Sequence, residues 1–280
     1  MDKISIIIRT STRYIFLDRA IRDIMNQTYN NWKIILVNDK GNLNEIHNII
    51  ENNRVPLDKY IIINNEGQSG LHKTINLGTR AVDTEYVVMH DDDDTWDNDF
   101  LKKTVAYLES KTSCMGVITH SNKVYEKVAN NVIKIQKIKP FNSDLKDVIS
   151  LYDMIKNNLF SPISFVYRAK VYKEIGYFDE DLKVLEDWEF NIRFLMKYDI
   201  EVIEEILANY HIRKNNNINE EFKNTVTSKR KLHLKYDTII RNRYLRDDLN
   251  NRYFGIGILM NILKWSDNRI MKKIKKYIYK

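Results

Sequence analysis

The first part of the chain alternates between short apolar runs and amphipathic stretches. Four runs rich in isoleucine and valine have the length of buried strands, and they lie at Ile4–Ile8, Trp32–Val37, Tyr60–Ile63 and Tyr86–Met89. Between these runs, apolar residues recur every three to four positions, which predicts helices over about residues 17–25, 43–52 and 72–82. Strands that alternate with helices in this way predict an α/β fold with a parallel sheet.

The middle of the chain is less regular, and we predict a mixture of strands and helices there. Strands are expected at Met115–Thr119 and Glu201–Leu207, and a loop followed by a strand is expected over residues 161–166. A separate hairpin is expected from Asn122–Glu126 and Val132–Lys137, with its turn at Ala129–Asn131. Helices are expected at Phe100–Leu108, at Asp147–Lys156, at Ala169–Ile175 with its end at Gly176, and from Glu186 onward.

After Tyr210 the pattern changes, which places a domain boundary at about residue 213. Asn215–Asn217 predicts a flexible joint, and Glu220–Leu245 predicts a long charged helix. Tyr253–Trp265 is apolar, and residues 269–280 place an apolar stripe on a strongly basic helix. We therefore expect a main domain over residues 1–213 and a basic helical extension over residues 214–280.

Composition limits the class of protein. A length of 280 residues with 43% hydrophobic residues allows one large domain, or one domain with an appendage. The single cysteine, Cys114, excludes a disulfide framework and fits a reducing, cytoplasmic compartment. The chain shows no apolar run of the roughly 20 residues that span a bilayer, and we expect no signal peptide at its start.

The charge is unevenly distributed along the chain. Residues 211–280 hold 18 of the 45 basic residues and only 6 of the 38 acidic ones. A basic segment of this kind can meet nucleic acid, anionic lipid or an acidic partner. The segment lacks the regular basic and aromatic platform of a known nucleic-acid module, and its spacing suits an anionic surface at the inner face of a membrane or the groove of a partner protein.

Four consecutive acids follow the fourth predicted strand. The run Asp91–Asp94 comes directly after Met89 and His90, and four adjacent carboxylates repel each other unless they are compensated. A bare acidic run most often forms a surface turn, whereas a buried strand in front of it favours a divalent cation with oxygen ligands. Polar groups also end two other strands, at Arg9-Thr10 and Asn38-Asp39. Because ligands bind at the carboxyl ends of parallel strands, we expect all three segments at one edge of the sheet.

Several short motifs follow one another in a characteristic order. They are Arg9-Thr10 after the first strand, Leu17-x-x-Ala20-Ile21, Gln27-Thr28-Tyr29, Trp32-Lys33-Ile34-Ile35-Leu36-Val37-Asn38-Asp39-x-Gly41, Asn65-x-Gly67, Asp91–Asp94-x-Trp96, Gly176-x-Phe178-Asp179-Glu180 and Glu186-Asp187-Trp188. In this order they resemble the inverting family 2 glycosyltransferases over roughly residues 3–213. The resemblance implies a GT-A fold (nucleotide-diphospho-sugar transferase), a Rossmann-like mixed and mostly parallel sheet flanked by helices. It further implies a nucleotide-sugar half at about 1–96 and an acceptor half at about 97–213.

The chain departs from the family pattern at three places. Arg9 stands where the family has proline, and Lys73-Thr74 stands where it usually has Arg-Asn. The frequent Tyr-Arg-x-His after the last strand is Tyr210-His211-Ile212-Arg213 here, so that the cation and the imidazole are exchanged. These departures leave the residues that contact the diphosphate open.

The resemblance also implies a role for each matched residue. A UDP-sugar donor and a Mn²⁺ or Mg²⁺ ion are implied, with a hydroxyl acceptor on a glycan, a lipid-linked glycan or a protein, as in the biosynthesis of cell-surface polysaccharides. Asp187 is implied as the general base, and Glu186 is its alternative. Donor contacts are implied for Thr10, Asp39, Asn65, Gly67, Lys73, Asp91, Asp92 and Arg213, and metal ligation for Asp93, Asp91 and His211. The four-acid run leaves the choice of metal ligand open by one residue, and we favour Asp93.

Two other functions remain as alternatives. A nucleotidyltransferase of related fold would need a glycine-rich phosphate loop after the first strand, and Arg9–Arg13 supplies cations there without glycine. A protein that binds nucleic acid through its basic segment is the non-enzymatic alternative. The donated sugar, the acceptor and the oligomeric state are not determined by these patterns.

Overall fold

A nine-stranded mixed sheet forms the centre of the computed structural model, which describes residues 2–67, 71–129, 132–213 and 230–266. The strands follow one another across the sheet in the order β3-β2-β1-β4-β8-β6-β9-β5, and β7 pairs with the outer part of β6. Their bounds are β1 Ile4–Thr10, β2 Trp32–Asn38, β3 Tyr60–Asn64, β4 Tyr86–Asp91, β5 Thr95–Trp96, β6 Gly116–Ala129, β7 Val132–Pro140, β8 Phe165–Arg168 and β9 Ile200–Ile212.

The first four strands form the parallel half of the sheet, as predicted. β1 lies between β2 and β4 and is parallel to both, and β3 joins β2 in the same direction. β1, β2 and β4 are buried on both faces, with Ile7 in one core cluster and Ile6 in the other, while the edge strand β3 is partly buried. Burial on both faces explains why the runs are continuously apolar instead of alternating.

Helices cover the sheet and connect its strands. The helices of the described ranges are α1 Tyr14–Met25, α2 Leu43–Asn52, α3 Leu71–Arg80, α4 Phe100–Ser110, α5 Leu151–Met154, α6 Tyr172–Ile175, α7 Glu186–Leu195, α8 Arg230–Asn251 and α9 Ile256–Ser266. The predicted end of α6 is confirmed, because Gly176 follows it with φ +78°, a backbone conformation that favours glycine.

Three predicted elements of the middle region are wrong in their extent. β6 is one strand of 14 residues, where we expected a short strand and a separate hairpin arm. β9 continues five residues past Leu207, because its second half pairs with β6 up to Ile212. The helix expected at Asp147–Lys156 is reduced to α5, because Val148 bridges Glu201 and the Asp147 carbonyl accepts from Val202. Pairing with the sheet thus overrides local helix preference. Of the predicted turn, Asn130 and Asn131 lie outside the described residues.

The helices α8 and α9 pack on the main body of the protein. Tyr236 and Ile240 of α8 and Met260 of α9 are buried in the same core cluster as Trp188. Arg241 of α8 donates to the backbone carbonyls of Ile155 (3.2 Å) and Lys156 (3.0 Å), and its guanidinium lies over the Trp188 ring. The long helix predicted at Glu220–Leu245 is described from Arg230 onward and extends to Asn251.

The remaining predictions for the end of the chain stay untested. The joint at Asn215–Asn217 and the basic helix at residues 269–280 lie outside the described residues, and the boundary at residue 213 stays a prediction. None of the helices within the described ranges is both long enough and apolar enough to cross a bilayer.

Candidate active site

Parallel register brings the polar strand ends together. Thr10 of β1 lies beside Asn38 of β2, and Arg9 lies beside Asp91 of β4. The three segments are therefore neighbours at the carboxyl edge of the sheet, where parallel α/β sheets bind their ligands.

The β2 end of this edge is held by amide side chains. The Asp39 carboxylate is buried and accepts from Asn65 Nδ2 at 2.9 Å, while the Gly67 N–H donates to Asn65 Oδ1 at 3.1 Å. Gly41 has no room for a side chain, because a Cβ there would lie 2.0 Å from the Ser11 carbonyl. Asp39 is therefore a buried residue at the edge of the sheet, with its carboxylate held by Asn65, and is not an exposed turn residue.

Arginine side chains form ion pairs with the acids of the run and so offset their negative charge. Arg9 donates to Asp91 at 3.0 Å, and Arg13 donates to both Asp92 and Asp93, at 3.0 Å to the latter. Thr10 Oγ1 also donates to Asp92, at 3.2 Å. Sequence reasoning did not predict these ion pairs, although Arg9 lies at the end of β1 and Arg13 only four positions later. The cations that a nucleotidyltransferase would have used for phosphate are bonded to aspartates here.

The pKa values of three acids of the run are shifted, in different directions. Burial raises the pKa of Asp92 to about 6 and raises that of Asp94 well above its usual value, the latter with help from the Asp93 charge. At Asp93 burial acts in the same direction, but Arg13 and Arg213 outweigh it and hold the pKa below its usual range. Oδ2 of Asp94 is buried with no hydrogen-bond partner in the described part of the chain. The raised pKa of Asp94, which disfavours its charged form, and the ion pairs of its neighbours thus relieve much of the repulsion between these carboxylates.

Carboxylate oxygens are the ligands that hard cations prefer, and the acids of the run differ in how accessible their carboxylates are. In the described ranges, no three His, Cys, Asp or Glu side chains are grouped as a metal site. Mg²⁺, however, often takes only one or two protein carboxylates beside substrate phosphates. Of the three ion-paired acids in the run, Asp91 has the most exposed side chain, at 29%, and accepts from Arg9, whereas Asp93 is 9% exposed and is bonded to both Arg13 and Arg213. Our preference for Asp93 as metal ligand stays a prediction, and its two guanidinium partners argue against it.

A second layer of buried charge lies behind the acids. Glu126 accepts from Arg213 at 2.6 Å, from Arg19 at 2.8 Å and from His211 Nδ1 at 2.7 Å. Although burial opposes it, hydrogen bonds from His211 and Arg19 lower the pKa of Glu126 to about 2. Sequence reasoning also missed Glu126, which no motif marked.

Two residues predicted to bind the donor or the metal belong to this buried layer. Both ring nitrogens of His211 have partners, because Nε2 lies 3.0 Å from Thr95 Oγ1, and burial lowers the pKa of its ring. The Arg213 side chain is fully buried, donates to Asp93 and lies over the Phe16 ring. These contacts argue against metal ligation by His211 and against direct diphosphate contact by Arg213, and both roles stay predictions.

The predicted base lies at the N-terminus of α7. Asn158 Nδ2 donates to Asp187 at 2.7 Å, and Asn191 in turn donates to Asn158 Oδ1 at 3.2 Å. Burial, then the Glu186 charge, raises the pKa of Asp187 to about 7. Arg9 donates to Glu186 at 3.3 Å as well as to Asp91, and so connects α7 to the acid run. A carboxylate that forms no ion pair with the described residues and has a pKa near 7 suits a general base, which favours Asp187 over the ion-paired Glu186.

Lys73 and the two tryptophans of the motifs occupy other environments. Lys73 lies in α3, where the Asn76 hydrogen bond, then the charge of Arg80 and last that of Lys73 lower the pKa of Glu180. Trp96 Nε1 donates to the Ile163 carbonyl at 2.7 Å, and Trp188 Nε1 donates to the Met154 carbonyl at 2.7 Å. Both tryptophans are buried and serve packing.

Comparison with known proteins adds a family match. The family model described as "Glycosyl transferase family 2" matches residues 5–176. A Haemophilus influenzae protein named an uncharacterized glycosyltransferase is 28% identical over 195 residues, which cover 67% of this chain and 58% of that protein. YwdF of Bacillus subtilis, also named an uncharacterized glycosyltransferase, is 27% identical, with coverage of 71% and 70%. WcaA of Escherichia coli, named a putative colanic acid biosynthesis glycosyl transferase, is 25% identical, with coverage of 70% and 67%.

Solved structures of S. aureus TarS are similar in fold. The structure of its residues 1–349 in complex with UDP has a TM-score of 0.60 at 19% identity and covers 75% of this chain. The complex of TarS with UDP-GlcNAc also gives 0.60. The likeness confirms the predicted GT-A fold. This chain spans 60% of the TarS chain and 58% of the Haemophilus protein, less than two thirds of each.

Proposed function

The chain belongs to glycosyl transferase family 2, and on that premise we propose that it transfers a sugar from a UDP-sugar to a hydroxyl group of an acceptor, with inversion. One observation carries the proposal: Arg9 connects the acid run at the nucleotide edge of the sheet to Glu186, the residue next to Asp187. A donor site and a base must lie side by side for a single in-line displacement, and this contact brings the two segments together.

The donor would bind along the strand ends. Asp39 would accept from the uracil imide, and Thr10 and Asp91 would lie beside the uridine. The complexes of TarS with UDP and with UDP-GlcNAc support a UDP-sugar, with UDP-GlcNAc as the first candidate. The named role of WcaA in colanic acid biosynthesis supports an acceptor among cell-surface polysaccharides.

Asp187 would activate the acceptor. Its carboxylate would take the proton of the attacking hydroxyl while the acceptor oxygen bonds to the anomeric carbon and the bond to UDP breaks. One base suffices, because inversion is a single displacement and differs from the two-carboxylate hydrolysis of glycosides. A Mn²⁺ or Mg²⁺ ion held through Asp91, or through Asp91 and Asp93, would supply Lewis-acid stabilisation of the departing UDP.

The proposal is tested by calorimetric titration of UDP and by a screen for donor hydrolysis. UDP-GlcNAc, UDP-glucose and UDP-galactose are compared with GDP-mannose, each with Mn²⁺, with Mg²⁺ and with EDTA. We expect UDP to bind, one UDP-sugar to be hydrolysed and EDTA to reduce the rate.

A matched pair of variants tests whether Asp39 contacts the nucleotide. Asp39→Asn should weaken UDP binding by at least about tenfold, because the imide would lose its acceptor. Asp58→Asn, the same change at an exposed aspartate, should not alter binding. Absence of binding and hydrolysis with all donors and both metals would refute the proposed function.

A further inference from the structure

One face of the β6–β7 hairpin is lined by lysines. Residues directly opposite each other in an antiparallel pair project from the same face, and Lys123 is opposite Lys139, Tyr125 opposite Lys137, and Lys127 opposite Lys134. We call this surface the lysine face, formed by Lys123, Lys127, Lys134, Lys137 and Lys139 together with Tyr125. Glu126 points to the opposite side of β6, where it is buried against Arg19 and Arg213.

This arrangement is unfavourable for the free protein. Like charges directly opposite each other destabilise a strand pair, and the lysine face contains two such pairs. Lys127, Lys134, Lys137 and Lys139 are exposed, and none of them forms an ion pair within the described part of the chain. Some lysines elsewhere are compensated, because Lys103, Lys111 and Lys146 each pair with a glutamate. The hairpin thus maintains a positive surface that an anionic partner would stabilise.

The lysine face continues into the candidate active site. The Lys123 ammonium lies 3.5 Å from the centre of the Phe141 ring, and the Phe141 ring lies 6.4 Å from that of Tyr210. Tyr210 of β9 is also the register partner of Lys123. The residue after Tyr210, His211, donates its backbone N–H to Asp94 at 2.8 Å, so this half-buried ring lies on the part of β9 that contacts the acid run. Lysines and aromatic rings therefore form one continuous strip from the hairpin to the site.

The dimensions of the strip favour a polymer over a single anion. Lys123 and Lys127 are four residues apart, which corresponds to about 14 Å along a strand, and lysines of β7 lie opposite along the same length. A flat membrane fits less well, because the exposed side chains of Ile135 and Ile138 lie opposite Glu126 and Val124, on the other face from the lysines. One flat surface cannot engage the lysines and these isoleucines together.

We propose that the lysine face binds an anionic acceptor, a glycan chain with repeated phosphate or carboxylate groups, and leads it past Phe141 and Tyr210 to the site. This inference rests on the proposed glycosyl transfer, whose acceptor it specifies by chemical class. Such charges would follow the lysines, and the aromatic rings would contact the sugar next to the reacting hydroxyl.

The test compares two triple variants of the full chain. K127Q/K134Q/K137Q removes three charges from the lysine face, and K102Q/K183Q/K235Q removes three exposed lysines elsewhere. The probe is fluorescently labelled inorganic polyphosphate, measured by fluorescence anisotropy, with neutral dextran as a comparison. We expect at least about a tenfold loss of polyphosphate affinity in the first variant and less than about twofold in the second. Equal losses in the two variants would overturn the proposal.

Two further measurements distinguish the alternatives. Polyphosphate should raise the melting temperature of the wild type but not that of K127Q/K134Q/K137Q, which without polyphosphate should be at least as stable as the wild type. If the protein binds phosphatidylglycerol vesicles in preference to polyphosphate, the proposed polymer ligand is wrong and the lysine face binds a membrane. UDP titration is run in parallel: if UDP does not bind but the lysine face binds polyphosphate, the proposed function fails while this site remains.

Discussion

At the scale of single residues, the environment of Asp187 determines its chemistry. An aspartate in water has a pKa near 4, but burial and the neighbouring Glu186 raise the pKa of Asp187 to about 7. The Asn158 amide donates to the carboxylate and so limits the rise, because a hydrogen bond to the charged form favours that form. Asn191 holds Asn158 in place. The carboxyl group of Asp187, the proposed base, is thus balanced between its protonated and ionised forms near neutral pH.

Replacement of the base should affect turnover far more than donor binding. Asp187→Asn should lower kcat at least about a hundredfold, because general-base catalysis contributes about 10²–10⁴-fold, while UDP affinity should change little. Initial rates and UDP calorimetry measure the two effects. Turnover like that of the wild type would exclude Asp187 as the base and direct attention to Glu186.

The pH dependence should report the same group. Since the active form is deprotonated, kcat/KM should rise with pH up to about 7 and then level off. Asn158→Ala removes a hydrogen bond to the charged form, so it should raise the pKa of Asp187. The rise of kcat/KM should then occur at higher pH. The variant should therefore be slow at pH 7 and recover in alkaline buffer. Asn157→Ala, at an exposed neighbour, is the control, and an equal loss at every pH would indicate a purely structural role for Asn158.

At the scale of secondary-structure elements, charged side chains from β6, α1 and the end of β9 meet behind the acid run. Glu126 of β6 binds Arg19 of α1 and His211 of β9, and Arg213, just after β9, bonds to both Glu126 and Asp93. The acid run is fixed in this way to strands far away in sequence. Each charge has a partner, which is the condition for charged groups to be tolerated in a protein interior.

Removal of one cation from this layer should be costly. Arg213→Met keeps much of the side-chain volume but leaves Glu126 and Asp93 with fewer partners, so we expect a loss of about 3–5 kcal/mol in the free energy of unfolding. Urea denaturation measures the change. Arg22→Met, which removes an exposed pair with Asp18, should cost less than about 1 kcal/mol. If both variants lose the same small amount, Arg213 has no special role in stability.

At the scale of the whole molecule, the C-terminal helices complete the core of the main body. Tyr236, Ile240, Met260 and Leu263 are buried in the cluster that contains Trp188. Arg241 covers Trp188 and caps carbonyls of the α5 region. These contacts lie directly behind α7, which carries the predicted base, so the helices support the site as well as the fold.

Truncation tests this support. A chain that ends at residue 213 should unfold at much lower urea concentration or fail to stay in solution, because its core cluster would be open to water. A chain that ends at residue 266 keeps all the contacts described for α8 and α9 and serves as the comparison. Equal unfolding midpoints for the two chains would show that residues 1–213 are stable alone, as the predicted domain boundary implies.

The sequence by itself determined the parallel half of the fold and the approximate place of the site. The strands β1 to β4 were predicted nearly to the residue, because burial on both faces leaves a continuous apolar signal. The strand-end segments Arg9-Thr10, Asn38-Asp39 and Asp91–Asp94 were expected at one edge, and parallel register places them there. The family followed from the order of the motifs.

Only the tertiary structure decided how the acids are compensated and how the second half is built. The partners of Asp93 lie 80 and 120 residues away, and such separations leave no local pattern in the sequence. The length of β6, the reduction of α5 and the packing of α8 depend likewise on contacts between distant segments, which override local preference. For the same reason the lysines of β6 and β7 are unremarkable in sequence, since only the strand register places them opposite one another.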